Sequence, residues 1–284
     1  MSVRPVGLIG VGLLGSALAE RFINSGSEVL GADSDAARSE ALRQIGGRFT
    51  SAAEVVRDCE RIVLSLPTSA VVQEVITGIE SSLHPGQIVI DTTTGAPGPA
   101  ASIGEWLAER GVAYLDATVS GSSEQVRRRD AVVTAGGERA AFEASRDLFE
   151  AFARRTFHVG PCGAGSAMKL ASNLVLGLNR AALAEGLAFA RALGMDLETT
   201  LEVFLEGAAY SRIMEAKGPK MIHGDFTPQA RLSQHLKDVR LILSEAARAG
   251  ASTPLSMAHK SLLESAVEAG CGDLDNSAII RAYD

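Results

Sequence analysis

Residues 5–22, PVGLIGVGLLGSALAERF, combine a strand-like apolar run, a glycine-rich turn and a helical pattern. Gly10, Gly12 and Gly15 stand in G-x-G-x-x-G spacing directly after the apolar run. The first glycine permits a tight turn, the second lets the backbone approach a pyrophosphate, and the third lets helix and strand pack closely. The helix N-terminus offers N–H groups and a partial positive charge to the phosphates. The segment predicts a dinucleotide-binding unit, with a merely structural glycine turn as the alternative.

An acidic residue ends the next predicted strand. Asp33 in VLGADSD follows the last glycine at about the expected 20-residue spacing. A carboxylate there accepts hydrogen bonds from the adenosine ribose and repels a 2′-phosphate, so NAD is favoured over NADP. Asp33 or Asp35 also suits the N-cap of the following helix, and both roles are compatible. Arg38 on that helix is within reach of a 2′-phosphate, so NADP remains the alternative coenzyme.

Short apolar runs alternate with helix-length stretches through the first half of the chain. Alternation of strand and helix predicts βαβ units and a largely parallel sheet covered on both faces. With the glycine motif, this pattern predicts an N-terminal Rossmann domain. The predicted strands are RPVGLIG, SEVLGAD, RIVLSLP, QIVIDTT, AYLDATV and DAVVTAG.

The pattern changes near Gly160. Residues 166–193 contain no proline and keep apolar residues at helical spacing, which predicts one helix about 40 Å long. Further helical segments follow and no strand pattern appears. We therefore predict an α/β fold with a Rossmann domain (1–160) and an all-α substrate and dimerisation domain (161–284). The segment GPCGAG is the expected linker, and the long helix lies between the domains.

Composition excludes several classes of protein. The chain has 284 residues, of which 46% are hydrophobic and 21% charged, and this length suits two ordinary domains. A net charge of −7 argues against a nucleic-acid partner, and no apolar run is long enough for a membrane span. The motif begins so close to the first residue that we expect no secretory signal. The three cysteines and five histidines have no metal-ligand spacing, so we predict no metal site and a reduced, cytoplasmic protein.

Four further motifs share one order and approximate spacing with a known enzyme family. They are IDTTTGAP (90–97), LDATVSGS (115–122), GAGSAMKLASN (163–173) and LKDVRLILSEA (236–246). With the tail GDLDNSAIIRAY, they make the chain resemble the β-hydroxyacid dehydrogenases over almost its whole length. The resemblance implies hydride transfer between NAD(P) and a small, 3-hydroxyisobutyrate-like β-hydroxycarboxylate or its semialdehyde.

The resemblance also implies a set of site residues. Lys169 is the expected catalytic residue, and the expected substrate-binding residues are Ser120, Gly121, Ser122 and Asn173. Besides Asp33 and the three glycines of the motif, the resemblance implies Thr94 and Lys237 as cofactor-binding residues. Leu13 and Leu14 of the glycine turn are also expected to bind the cofactor, as are Leu66 and Pro67, which end a predicted strand where open α/β sheets bind ligands.

The residue types at Lys169 and Asn173 agree with this assignment. They stand four positions apart, so they share one face of the predicted helix. A carbonyl that receives hydride at carbon must receive a proton at oxygen, and a lysine in an apolar stretch is a suitable general acid or base. Asn173 would orient the reacting group. A surface lysine is the alternative. His235 is expected near the same cleft, although a surface position is favoured for it.

The chain departs from the family pattern at several positions. Ser122, Gln125 and Arg129 stand where glycines are usual, Ser172 replaces an asparagine, and Ala230 replaces an aromatic residue. The resemblance therefore predicts the class of the substrate but not its identity. The alternative functions are an imine reductase of the same fold and a non-catalytic cofactor-binding scaffold, both of which usually lack the lysine. Because the long apolar helix needs cover on several sides, we expect a homodimer or homotetramer.

Overall fold

The computed structural model describes residues 5–283, and the chain forms two compact units that divide after Lys169. Among these residues the first unit contains one eight-stranded sheet. Its strands are β1 (Val6–Ile9), β2 (Val29–Ala32), β3 (Arg48–Phe49), β4 (Arg61–Leu64), β5 (Ile88–Asp91), β6 (Ala113–Ser120), β7 (Ala131–Gly137) and β8 (Ala153–Gly160).

The strand order is β3-β2-β1-β4-β5-β6-β7-β8, and all neighbours are parallel except the antiparallel pair β6 and β7. The order reverses between β1 and β4, the point where open α/β sheets bind ligands at the carboxyl ends of their strands. This topology confirms the predicted Rossmann fold.

Eight α-helices of the described chain cover both faces of the sheet. They are α1 (Leu13–Asn24), α2 (Arg38–Gln44), α3 (Ala52–Asp58), α4 (Ser69–Ile79), α5 (Pro97–Ala108), α6 (Ser123–Arg127), α7 (Arg139–Ala144) and α8 (Arg146–Phe152), with a 3₁₀ turn at Glu80–Ser82. Leu18 and Phe22 belong to the core on one face, and Val55, Ile76 and Leu107 to the core on the other. Burial on both faces explains why most strands are continuous apolar runs.

Two strands, β3 and β8, were not predicted from the sequence. Strand β3 has only two residues, and β8 reads ARRTFHVG with most of its residues partly or fully exposed. Both lie at the edges of the sheet, where one side of a strand has no neighbour. Edge strands keep polar residues, so they lack the apolar run that identifies a central strand.

The second unit is helical. Helix α9 (Ala164–Ala192) begins in the first unit and continues into the second, close to the predicted helix at 166–193. The other helices are α10 (Leu197–Glu206), α11 (Arg212–His223), α12 (Leu232–Arg248) and α13 (Pro254–Ala266), followed by a π turn (Val267–Cys271) and a 3₁₀ helix (Asn276–Tyr283). The predicted all-α architecture after Gly160 is confirmed.

The predicted domain limits, 1–160 and 161–284, stay a proposal. They follow the change of secondary structure at the end of β8, whereas the compact units divide inside α9. Along residues 5–283, no helix is long and apolar enough to cross a membrane.

Candidate active site

The glycine motif forms the turn between β1 and α1. Gly10 has φ +97°, and a Cβ there would collide with the carbonyl oxygen of Ser65, which follows β4. A Cβ at Gly15 would collide with the carbonyl oxygen of Gly10, so α1 and the turn are in direct backbone contact. Both positions therefore require glycine, as the sequence predicts.

The residues of this turn suit a pyrophosphate. A Cβ added at Gly12 would meet no atom within 4 Å, so the space beside this amide is open. Gly12 is also the N-cap of α1, and no side chain caps the helix start. The first amides of α1 can therefore donate to phosphate oxygens. Leu13 is exposed beside the turn and Leu14 is half-buried, and their predicted contacts with the cofactor remain a proposal.

Asp33 stands next to this turn. Its Oδ2 accepts a hydrogen bond from Val11 N at 2.6 Å, and its Oδ1 accepts one from Asp35 N at 2.9 Å. Each oxygen keeps a lone pair for a ribose hydroxyl. Asp35 accepts from Ala37 N at 3.0 Å in the turn before α2 and pairs with Arg38 at 3.4 Å. The geometry is compatible with the predicted preference for NAD.

We expect Asp33→Ser to lower the ratio of kcat/KM for NAD over NADP by about 10- to 100-fold, because charge-assisted bonds to the ribose and the repulsion of a 2′-phosphate are both lost. The loss of the bond to Val11 affects both coenzymes and cancels in the ratio. Glu40→Gln, which removes the same charge from an exposed position on α2, should leave the ratio unchanged. A wild-type preference for NADP would contradict the prediction and point to Arg38 as a phosphate ligand.

The loops after β4 and β5 contact each other. Leu66 N donates to Thr93 Oγ1 at 3.2 Å, and Thr93 N donates to the buried carboxylate of Asp91 at 2.9 Å. Tyr114 OH donates to the same carboxylate at 2.7 Å. Burial raises the pKa of Asp91 to about 6, although the bonds from Thr93 and Tyr114 oppose the shift. These contacts hold the loop that carries half-buried Thr94, the residue predicted to lie near the nicotinamide.

The amine of Lys169 lies at the carboxyl end of β6. Its Nζ donates to Val119 O at 2.8 Å and lies 3.4 Å from Ser120 Oγ. The residue is only 9% exposed, so the surface-lysine alternative is wrong. Lys169 and Ser120 are thus brought together, as the predicted site requires.

The loop after β6 explains two of the departures from the family pattern. Ser122 Oγ accepts from Gln125 N at 3.2 Å, and Gln125 Oε1 accepts from Ser122 N at 2.9 Å. The pair forms a capping box at the start of α6. Gly121 has φ +151°, and Arg129 adopts φ +59°, a conformation that a glycine would favour. Ser122 therefore has a structural role, and its contact with substrate stays a prediction.

In the helical unit, Asn173 is oriented by Asp238, a residue to which the sequence predictions gave no role. Asn173 Nδ2 donates to Asp238 Oδ2 at 3.3 Å, and Lys237 Nζ lies 3.5 Å from Asp238 Oδ1. Asp238 is buried and directly follows Lys237, so the Lys-Asp pair in the LKDV segment was the available signal. The predicted contact of Lys237 with the cofactor remains a proposal.

His235 is buried, so the favoured surface position was wrong. Its ring lies 5.2 Å from that of His259, and a Cβ at Gly177 would meet both rings at 2.6–2.7 Å. Burial and the nearby charge of Arg180 lower the pKa of His259 to about 4. The two imidazoles therefore pack against α9 at a glycine. No group of three or more His, Cys, Asp or Glu side chains in residues 5–283 could hold a metal ion.

Two family models together match almost the entire chain. The NAD binding domain of 6-phosphogluconate dehydrogenase matches residues 5–160, and the NAD-binding model of NADP-dependent 3-hydroxyisobutyrate dehydrogenase matches residues 163–283. The chain belongs to the β-hydroxyacid dehydrogenase family. As a member, it is an oxidoreductase that uses a nicotinamide cofactor.

Individual relatives support the same assignment. L-threonate dehydrogenase of Cupriavidus necator is 30% identical, and the match covers 99% of this chain and 96% of the relative. A 3-hydroxyisobutyrate dehydrogenase of Mycobacterium tuberculosis, solved with L-serine, has a TM-score of 0.91 at 25% identity over 98% of both chains. An imine reductase from Pseudomonas sp. shares the fold with a TM-score of 0.66 at 21% identity over 99% of both chains. In both fold and sequence, this chain is thus more similar to these β-hydroxyacid dehydrogenases than to the imine reductase.

Proposed function

We propose that this protein oxidises a small β-hydroxycarboxylate to the corresponding semialdehyde with NAD, or catalyses the reverse reduction. The observation that carries the proposal is the buried amine of Lys169, which lies beside Ser120 at the end of β6. The residues that fit a dinucleotide lie at the carboxyl ends of β1, β2, β4 and β5 in the same sheet.

Lys169 supplies the proton transfer in this proposal. When bound, a nicotinamide would supply the hydride chemistry, as acceptor from the carbinol carbon in the oxidation and as donor to the carbonyl carbon in the reduction. In the oxidation the amine of Lys169 accepts the hydroxyl proton, and in the reduction it returns that proton to the carbonyl oxygen. Asn173 orients the reacting oxygen through its amide, whose own orientation is set by Asp238.

The Ser120–Gly121 segment is the proposed binding site for the substrate carboxylate. A serine hydroxyl and backbone N–H groups can bind a carboxylate by charge-assisted hydrogen bonds. L-threonate, 3-hydroxyisobutyrate and L-serine, which name or accompany the relatives, share a carboxylate and a hydroxyl on the β carbon. Ser122 adds a side chain to this loop, and Ala230 is smaller than the usual aromatic residue. We therefore propose a substrate that is larger or more polar than 3-hydroxyisobutyrate.

A screen of short β-hydroxycarboxylates with NAD, followed by NADH absorbance, tests the function. For the best substrate, the matching alcohol without the carboxylate should lose about 10³-fold in kcat/KM, because the donors of Ser120 and Gly121 would lose their charged acceptor. Equal kcat/KM for acid and alcohol would refute carboxylate binding by Ser120 and Gly121. Activity confined to cyclic imines would favour the imine reductase, and NADH binding without any turnover would favour the scaffold.

We also propose that the protein is a homodimer or homotetramer. Val175, Leu176 and Phe189 on α9, and Leu193 directly after it, are exposed apolar residues, and Phe189 is 65% exposed. They lie in the C-terminal two thirds of the helix and directly after it, and exposed large apolar side chains are enriched at subunit interfaces. We propose a second copy of the chain as the partner, because the proposed oxidation of a small hydroxycarboxylate requires no other protein.

The proposed location is the cytoplasm. Cys59, Cys162 and Cys271 are all free thiols, and burial raises the pKa of Cys59 to about 12 and that of Cys162 to about 11. Free thiols agree with a reducing compartment.

A further inference from the structure

The start of α9 is capped by a strand that is distant in sequence. Asp116 of β6, which is 1% exposed, accepts hydrogen bonds from Gly163 N at 3.0 Å and from Ser166 N at 2.7 Å. These amides are among the four at a helix start that lack partners within the helix. One carboxylate therefore caps the helix that carries Lys169, and its charge complements the positive end of the helix.

A second contact holds the same turn of α9. Thr118 Oγ1 donates to Gly165 O at 3.1 Å. A Cβ at Gly165 would collide with the carbonyl oxygen of Asp116 and would lie 2.9 Å from Gly136 N. The first turn of α9 therefore lies in backbone contact with β6 and β7 and has little freedom to slide or rotate.

The third contact is made by Lys169 itself. Asp116, Thr118 and Ser120 alternate along β6, so their side chains point to one face of the strand. Asp116 binds the start of α9, Thr118 binds Gly165, and Ser120 lies beside Lys169 Nζ. One face of one strand thus defines both the position of the helix start and the surroundings of the amine.

We propose that Asp116 is a positioning residue for proton transfer by Lys169. Its two hydrogen bonds set the rotation and height of the first turn of α9, and this places the amine at Val119 O and Ser120. The proposal rests on the proposed function of Lys169 as the general acid or base. Because a displacement of about 1 Å can cost a catalytic group about 10²-fold in rate, the effect is measurable.

The test is Asp116→Asn, which preserves side-chain volume. The amide removes the charge and sets its NH2 group against a backbone N–H, so one of the two bonds is lost. We expect kcat to fall by about 10- to 100-fold with NAD and the most active of L-threonate, L-serine and 3-hydroxyisobutyrate. The Kd for NADH should change by less than about twofold, and hydrogen exchange over residues 163–173 should become faster.

A double-mutant cycle separates positioning from other effects. In a Lys169→Met background, Asp116→Asn should lower kcat no further, because the group that it positions is gone. An equal loss in both backgrounds, or an unchanged kcat in a folded Asp116→Asn variant, would overturn the proposal. Lys169→Met with a near wild-type kcat would refute the general acid–base role, and the positioning role with it. Amide hydrogen exchange over residues 163–173 that is as slow in Asp116→Asn as in wild type would refute the positioning role of Asp116, but not the general acid–base role of Lys169.

Gln87→Met is the matched control. Gln87 is also fully buried. Its Nε2 donates to Val56 O at 2.5 Å and to Cys59 O at 2.8 Å, and its Oε1 accepts from His84 N at 2.8 Å, so none of its partners belongs to β6 or α9. The control should lower Tm and leave kcat unchanged. If Asp116→Asn does not fold, Thr118→Val is the second variant. It removes the bond to Gly165 O together with the hydroxyl's contacts to Thr134 O and Thr134 Oγ1, and it should lower kcat by about threefold to fivefold. An unchanged kcat in that variant would count against the proposal.

Discussion

Replacement of Lys169 by methionine should lower kcat by about 10²–10⁴-fold while the Kd for NADH stays within about twofold of wild type. Methionine fills a similar volume but has no group that carries a proton. The amine is buried beside Ser120, so its removal leaves no proton carrier at this position of the site. The dinucleotide-binding turn around Gly12 is not altered by the change, and coenzyme binding should therefore persist. Stopped-flow fluorescence of NADH and steady-state kinetics measure the two quantities separately.

Lys260→Met is the control for this substitution. It makes the same chemical change on α13, where Lys260 is partly exposed and pairs with Glu264 at 3.6 Å. Its kcat should equal that of wild type, because exposed ion pairs contribute little. Near wild-type turnover in Lys169→Met would show that another group transfers the proton.

The largest expected effect on stability is at Asp275. Asp275→Asn should lower the free energy of unfolding by about 3–5 kcal/mol, because a buried cation loses its counter-charge. Its carboxylate is fully buried, lies 2.8 Å and 3.0 Å from Lys217 Nζ, and also accepts from Gln229 N and Ser277 N. Arg180, only 1% exposed, gains its electrostatic support from the same carboxylate. Urea denaturation measures the difference.

The effect of Asp275 depends on pH with a definite sign. Burial alone would raise the pKa of Asp275, but the hydrogen bonds from Lys217 and Gln229 outweigh it and lower the pKa to about 2. A carboxylate whose pKa is lowered on folding stabilises the folded state above its ordinary pKa of 3.8. The stability difference between wild type and Asp275→Asn should thus be constant above pH 4 and shrink as the pH falls toward 2.

Asp273→Asn is the matched control for charge. The Asp273 side chain is 90% exposed and lies 3.7 Å from Arg231, so its loss should change stability by less than about 0.5 kcal/mol. The double variant Asp275→Leu with Lys217→Met should recover only part of the lost stability, because it removes the buried Lys217–Asp275 pair but leaves Arg180 without the carboxylate. A loss below about 1 kcal/mol in Asp275→Asn would contradict the prediction.

The architecture could be predicted from the sequence because the patterns that define it involve residues close together along the chain. The spacing of Gly10, Gly12 and Gly15 defines a turn whose steric demands involve immediate neighbours, as the collisions at Gly10 and Gly15 illustrate. Central strands are recognisable because burial on both faces requires an apolar run. The long helix was recognisable from its spacing alone, and α9 begins and ends within two residues of the predicted bounds.

Tertiary structure decided the features whose partners are distant in sequence. Edge strand β8 has too little burial for an apolar pattern, and the buried ring of His235 packs against α9 at Gly177, where a Cβ would collide with it. No pattern within LDATVSGS shows that Asp116 caps a helix 47 residues later, because that bond depends on how β6 and α9 pack. The sequence by itself therefore determined the fold class, the coenzyme turn and the candidate lysine. Only the packed structure determined which buried groups hold that lysine, since hydrogen-bond partners follow proximity in space and not spacing along the chain.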